Sequence, residues 1–113
     1  PVPLAKAKML QRGYNQSEEI ARGVAAVTGL PVVTGAVTRI RNTESQTSKT
    51  GVQRVDNVEG AFRLMRPDRV AGRHVLIVDD VVTTGSTVCA CSKELMKAGG
   101  VSISVMSLGF THQ

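Results

Sequence analysis

Two aspartates, Asp79 and Asp80, stand side by side in the stretch VLIVDDVVTTGST, residues 75–87. Four apolar residues precede them, and Val81 and Val82 follow. Then come five small residues, Thr83, Thr84, Gly85, Ser86 and Thr87. Adjacent like charges beside a buried strand are costly unless they have a partner or a task. The apolar run predicts a strand over 75–79, buried on both faces, and a helix opening at Ser86 or Thr87. The backbone N–H groups of the connecting loop then converge on a helix N-terminus. Such a terminus carries about half a positive charge and binds anions. Gly85 lets a phosphate oxygen approach the backbone without a Cβ in the way. The hydroxyls of Thr83, Thr84, Ser86 and Thr87 can donate to the remaining oxygens. The carboxylates would repel a phosphate they touched, so they must face a metal or hydroxyl donors. Vicinal sugar hydroxyls are good donors to a carboxylate. A ribose 5-phosphate satisfies both halves: phosphate in the loop, 2- and 3-hydroxyls on the acids.

Competing motifs are missing. No GxxxxGK[ST] marks a P-loop, and no GxGxxG follows a strand. A two-carboxylate glycosidase has no use for the hydroxyl-rich loop. An ordinary strand–turn–helix with a capping aspartate explains one acid, but not two acids with this loop.

The elements that must position these residues alternate between helix and strand. NQSEEIARGVAAVTGL predicts a helix capped by Asn15, with Glu18 as the partner in a capping box. Its Ile20, Val24 and Val27 fall on one face, and Gly29 and Pro31 end it. PVVTGAVTRIR (31–41) reads as one strand with a bend at Gly35. The polar stretch 42–60 is long for a connection and reads as a functional lid or a disordered segment, with room for a short helix around 51–55. AFRLM is a short strand, RPDRVAGR a turn, and 86–98 the clearest helix, with Val88, Cys91, Leu95 and Ala98 on one face. Lys93 and Lys97 sit in its C-terminal half, where the dipole is negative, and Gly99 and Gly100 end it. VSISVMSL is the last strand, and GFTHQ is edge or coil. The order implies one α/β domain over 1–113 with a mostly parallel sheet covered on both faces. Ligands of such sheets bind beyond the carboxyl ends of the strands.

Composition narrows the classes further. The net charge of +5, from 14 Lys and Arg against 9 Asp and Glu, suits an anionic ligand or a merely basic surface. The basic residues are scattered and there are three aromatic residues, which argues against direct nucleic-acid binding. No apolar run approaches the roughly 20 residues needed to span a membrane. Cys89 and Cys91 read as small buried thiols. With His74 and His112 they do not make a metal set. Reduced thiols point to a cytoplasmic location. The chain opens at Pro1 without a methionine, which reads as a processed or trimmed chain.

VLIVDDVVTTGST resembles the phosphoribosyl-pyrophosphate (PRPP) motif of type I phosphoribosyltransferases. RGYNQSEEIA, the run Gln46, Arg54 and Asn57, and GAF at Gly60, Ala61 and Phe62 resemble the ComF family. These are amidophosphoribosyltransferase-like homologues associated with DNA uptake and competence. The resemblance implies a three-layer α/β/α fold, mostly parallel, with one short antiparallel strand. It implies that Asp79 and Asp80 hold the ribose hydroxyls and that Thr83, Thr84, Gly85, Ser86 and Thr87 wrap the 5-phosphate. Lys6, Lys8 and Arg12 become candidates for the pyrophosphate. Residues 42–57 become a hood, with Arg54 as its charge. Mg²⁺ would enter with PRPP rather than on ligands of the protein. The reaction implied is displacement of pyrophosphate by a nitrogen nucleophile of unknown identity. The alternative is a non-catalytic PRPP or nucleotide-binding module that supports competence, and a homo-oligomer is allowed. The family's first strand, normally central in the sheet, would precede Pro1. The given chain is therefore expected to be a fragment with an incomplete sheet.

Overall fold

The computed structural model describes residues 1–4, 9–11, 13–40 and 60–110. Helix α1 (Gln16–Thr28) starts where Asn15 leaves the extended region, at φ −104° and ψ 116°. The Asn15 side chain accepts from the N–H groups of Ser17 and Glu18, so two of the helix's orphan amides are satisfied. Glu18 does not complete a capping box. It turns to Arg22 one turn on, at 2.9 Å, an exposed pair of small energetic weight. The face α1 buries is that of Ser17 and Ala21, with Val24 and Ala25 half-buried. Val27, expected on the apolar face, is 88% exposed.

Among the described residues 31–40 of the expected strand, three are a strand: β1 (Val37–Arg39) pairs antiparallel with β2 (Phe62–Leu64), Thr38 opposite Arg63. β-branched residues at 32–34 supplied the propensity, but propensity makes no strand without a hydrogen-bonding neighbour. A 3₁₀ turn (Pro67–Arg69) leads to β3 (His74–Val82). Strand β3 is longer than expected and runs through both aspartates to Val82. Its parallel partner β4 (Ser102–Phe110) explains this, because the ladder continues past the acids with Asp79 opposite Ser107 and Val81 opposite Gly109. Gly109 and Phe110, read as tail, therefore belong to β4.

Helix α2 (Ser86–Met96) makes the crossover between these parallel strands. It ends two residues short of Ala98. At Gly100, φ is +67° and an added Cβ would lie 3.3 Å from the Gly72 Cα, where two turns meet. The Gly72 N–H donates to the Gly99 carbonyl there, at 2.9 Å. Val88, Cys91 and Leu95 of α2 join Val37, Ala61, Phe62, Val70 and Ile77 in the core. Each such large side chain contributes about 1.5–3 kcal/mol on burial. The Arg39 guanidinium lies over the Phe62 ring at 4.9 Å, so this buried cation meets a π-face. The architecture is α/β, with one parallel and one small antiparallel pair.

Beside the second edge of β3 lies an apolar slot of about 880 Å³. Val75, Ile77 and Val78 of β3 line it together with Val24, Val32 and Val33. Pro1 and Pro3 reach into it, and the Val2 N–H donates to the Val78 carbonyl at 2.9 Å.

Candidate functional site

Asp79 and Asp80 sit near the carboxyl end of β3, both half-buried. Each has one oxygen engaged by the next residue's amide. The Asp80 N–H donates to Asp79 Oδ1 at 2.9 Å, and the Val81 N–H donates to Asp80 Oδ1 at 2.8 Å. The Ser17 hydroxyl adds a second donor to Asp79 Oδ1, at 3.3 Å. Among the described residues no backbone, hydroxyl or cationic donor reaches either Oδ2, although the Asp79 and Asp80 carboxyls interact with each other. Two open carboxylate oxygens thus stand on consecutive residues. Burial pushes the Asp79 carboxyl above its ordinary 3.8, and the neighbouring Asp80 charge pushes the same way. The Asp80 amide and the Ser17 hydroxyl partly offset this.

The hydroxyl loop follows directly. Gly85 is the N-cap of α2 with φ +84°, a left-handed backbone that costs glycine nothing. An added Cβ would meet nothing within 4 Å, so the backbone, not protein crowding, calls for glycine here. Gly85 has no side chain to cap α2, so apart from the Ser86 N–H, which Thr84 engages, the first-turn amides of α2 keep their capacity for an anion. The Thr84 hydroxyl donates to Ser86 Oγ at 2.9 Å and accepts from the Ser86 N–H at 3.3 Å. The hydroxyls of Thr83 and Thr87 make no hydrogen bond among the described residues. Asp79, Val81, Val82, Thr83, Gly85, Thr87 and Val88 line a small hollow of about 30 Å³. Asp79 therefore shares one concavity with Thr83, Gly85 and Thr87 of the hydroxyl loop. The larger slot beside β3 includes neither aspartate and none of the hydroxyl loop.

Of the expected site residues, Asp79, Thr83, Gly85 and Thr87 line the small hollow, while Asp80, Thr84 and Ser86 adjoin them in the chain without lining it. Lys6, Lys8, Arg12, Arg54 and the hood 42–57 lie outside the described residues. Cys91 is buried, and burial pushes its thiol to about 11, so it stays protonated at neutral pH. Cys89, expected to be buried, is exposed. Among the described residues no group of three or more His, Cys, Asp or Glu is placed to hold a metal. No described helix is long and apolar enough to cross a membrane. Sequence reasoning missed Ser17. Its sequence separation from Asp79 is 62, and only its place just inside a capped helix hinted at a role.

Comparison with known proteins follows the same lines. Residues 10–109 match the family model described as phosphoribosyl transferase domain. The chain is 38% identical over 107 residues to the DNA utilization protein YhgH of Salmonella typhi, covering 95% of this chain and 46% of that one. It is 35% identical over 109 residues to the Competence protein F of Haemophilus influenzae, covering 96% of this chain and 48% of that one. It is 38% identical over 84 residues to the adenine phosphoribosyltransferase of Renibacterium salmoninarum, covering 71% of this chain and 42% of that one. The chain spans about half the length of the curated relatives it matches. No solved structure matches.

Proposed function

This chain belongs to the phosphoribosyl transferase domain family, and we propose that its site binds PRPP or a ribose 5-phosphate and transfers the phosphoribosyl group to a nitrogen nucleophile. The carrying observation is the pair of open Oδ2 atoms on Asp79 and Asp80 beside a hydroxyl loop that opens a helix. In this reading the two oxygens accept from the ribose hydroxyls. Thr83, Thr84, Ser86, Thr87 and the first amides of α2 hold the 5-phosphate. The bond from the anomeric carbon to pyrophosphate breaks, a bond from that carbon to nitrogen forms, and the nitrogen gives its proton to solvent. Positive charge develops on the ribose ring as pyrophosphate leaves. The carboxylates, fixed in advance by amide donors, stabilise that charge. With both carboxylates on ribose hydroxyls, Mg²⁺ would enter on the ligand's phosphates rather than on ligands of the protein. When bound, Mg²⁺ supplies neutralisation of the leaving pyrophosphate.

Calorimetric titration with Mg²⁺–PRPP tests the binding. The double variant Asp79→Asn with Asp80→Asn should keep the fold and lose affinity. Unchanged affinity in that folded variant sinks the assignment. A second reading is a binding module without turnover that supports DNA use; the names of the Salmonella typhi and Haemophilus influenzae relatives speak of DNA utilization and competence and of no transfer reaction. Pyrophosphate release against a panel of bases and ammonia separates the two.

A further inference from the structure

A chain of hydrogen bonds joins the first residues, the start of α1 and the acid of β3. The Val2 N–H donates to the Val78 carbonyl at 2.9 Å, and Asn15 Nδ2 donates to the Val2 carbonyl at 3.0 Å. The Asn15 side-chain oxygen accepts from the Ser17 N–H at 2.9 Å. The Ser17 hydroxyl then donates to Asp79 Oδ1 at 3.3 Å. Val78 and Asp79 are consecutive, so the path returns to where it began. Ser17 is 5% exposed, so water competes little for its hydroxyl. Asn15 fixes the Ser17 backbone, and the backbone fixes where the hydroxyl can point.

We propose that Ser17 is a positioning residue for Asp79. With Oδ1 engaged by the Ser17 hydroxyl and the Asp80 amide, rotation of the carboxylate about its Cβ–Cγ bond is restrained, and Oδ2 is the oxygen presented to a ribose hydroxyl. The proposal rests on the ribose 5-phosphate reading above. Without the hydroxyl, the carboxylate keeps one fixed donor and gains a soft torsion, since its rotamer wells are broad. A group that must be ordered at binding loses part of what the contact supplies.

The test compares two probes, ribose 5-phosphate and inorganic phosphate, on the whole native chain and its variants. Ser17→Ala should weaken ribose 5-phosphate binding about tenfold, the equivalent of about 1.4 kcal/mol. It should leave inorganic phosphate binding unchanged, because phosphate has no hydroxyl for Asp79 to accept. Ser17→Thr, which keeps the hydroxyl, should restore most of the loss, and circular dichroism checks that each variant is folded. Equal loss for both probes means Ser17 merely holds the fold together, and overturns the proposal. So does unchanged affinity for ribose 5-phosphate in Ser17→Ala. Wild-type protein that gains nothing from the ribose beyond its phosphate overturns the ligand reading itself, a different result from either.

Discussion

The Leu64 N–H at the end of β2 donates to Glu94 Oε1 on α2 at 3.0 Å, a bond across 30 residues of sequence. Through it the helix that opens the site is tied to the antiparallel pair. The other oxygen of Glu94 meets Lys97 Nζ at 2.9 Å. Glu94→Ala should destabilise the protein by about 1–3 kcal/mol, because it leaves the half-buried Leu64 N–H without its acceptor. Glu94→Gln keeps an acceptor and should cost less. The Lys97 hydrogen bond holds the Glu94 carboxyl below its ordinary 4.5. A lowered folded value means this stabilisation is present above pH 4.5 and is lost as the pH falls through the folded value. Urea midpoints of wild type and Glu94→Gln should therefore converge in acid.

Asp79 has the opposite sign. Its carboxyl lies above 3.8 in the folded state, so the fold binds that proton more tightly than the unfolded chain. Stability from this group is fully present below pH 3.8 and declines as the pH rises through the folded value. Asp79→Asn should therefore melt higher than wild type at pH 7, with the difference fading below pH 3.8, while ligand affinity falls. Thermal melts at several pH values check this. A lower melting temperature at pH 7 would contradict the burial argument. A group kept at a stability cost is expected where the protein needs it for function.

At Gly85 the effect is on the backbone. Gly85→Ala puts a Cβ on a residue at φ +84°, in open space. The cost should be about 1–2 kcal/mol from conformation alone. Phosphate affinity should fall with it, because the first turn of α2 is set by this residue. Chemical denaturation and phosphate titration measure the two effects separately.

The second edge of β3 carries, among the described residues, one backbone hydrogen bond, from Val2 to Val78. The slot beside it is mainly apolar, with Val75, Ile77, Val78, Val32 and Val33 in its lining. An extended apolar segment joined ahead of Pro1 and laid along β3 should fill it. Each backbone group so paired is relieved of about 1–3 kcal/mol if it was otherwise buried without a partner. The melting temperature should rise by at least about 5 °C relative to the 113-residue chain. Scanning calorimetry on the two chains checks this, and an unchanged transition would show that the slot accepts no strand.

Much of this protein is written in short-range sequence. Asn15 as a cap, Gly29 as a stop, the Val88, Cys91 and Leu95 face of α2, and the acids followed by a hydroxyl loop all depend on residues a few positions apart. Local backbone sterics and helical periodicity suffice for them, so the pattern is visible before any fold is known. Contacts across the chain decided the rest. Strand β3 runs on through Asp79 and Asp80 because β4 supplies hydrogen-bond partners that far, which no local propensity encodes. Residues 32–34 are not a strand despite three β-branched side chains, because no neighbour pairs with them among the described residues. Val27 faces out because α1 buries the side of Ser17 and Ala21, and which side of a helix is buried depends on what packs against it. Ser17 meets Asp79 only because α1 lays its N-terminus at the carboxyl end of β3. The acids and their loop are legible in sequence because their chemistry is contiguous. The hydroxyl that orients one of them is not, because only the packing of α1 against β3 brings it there.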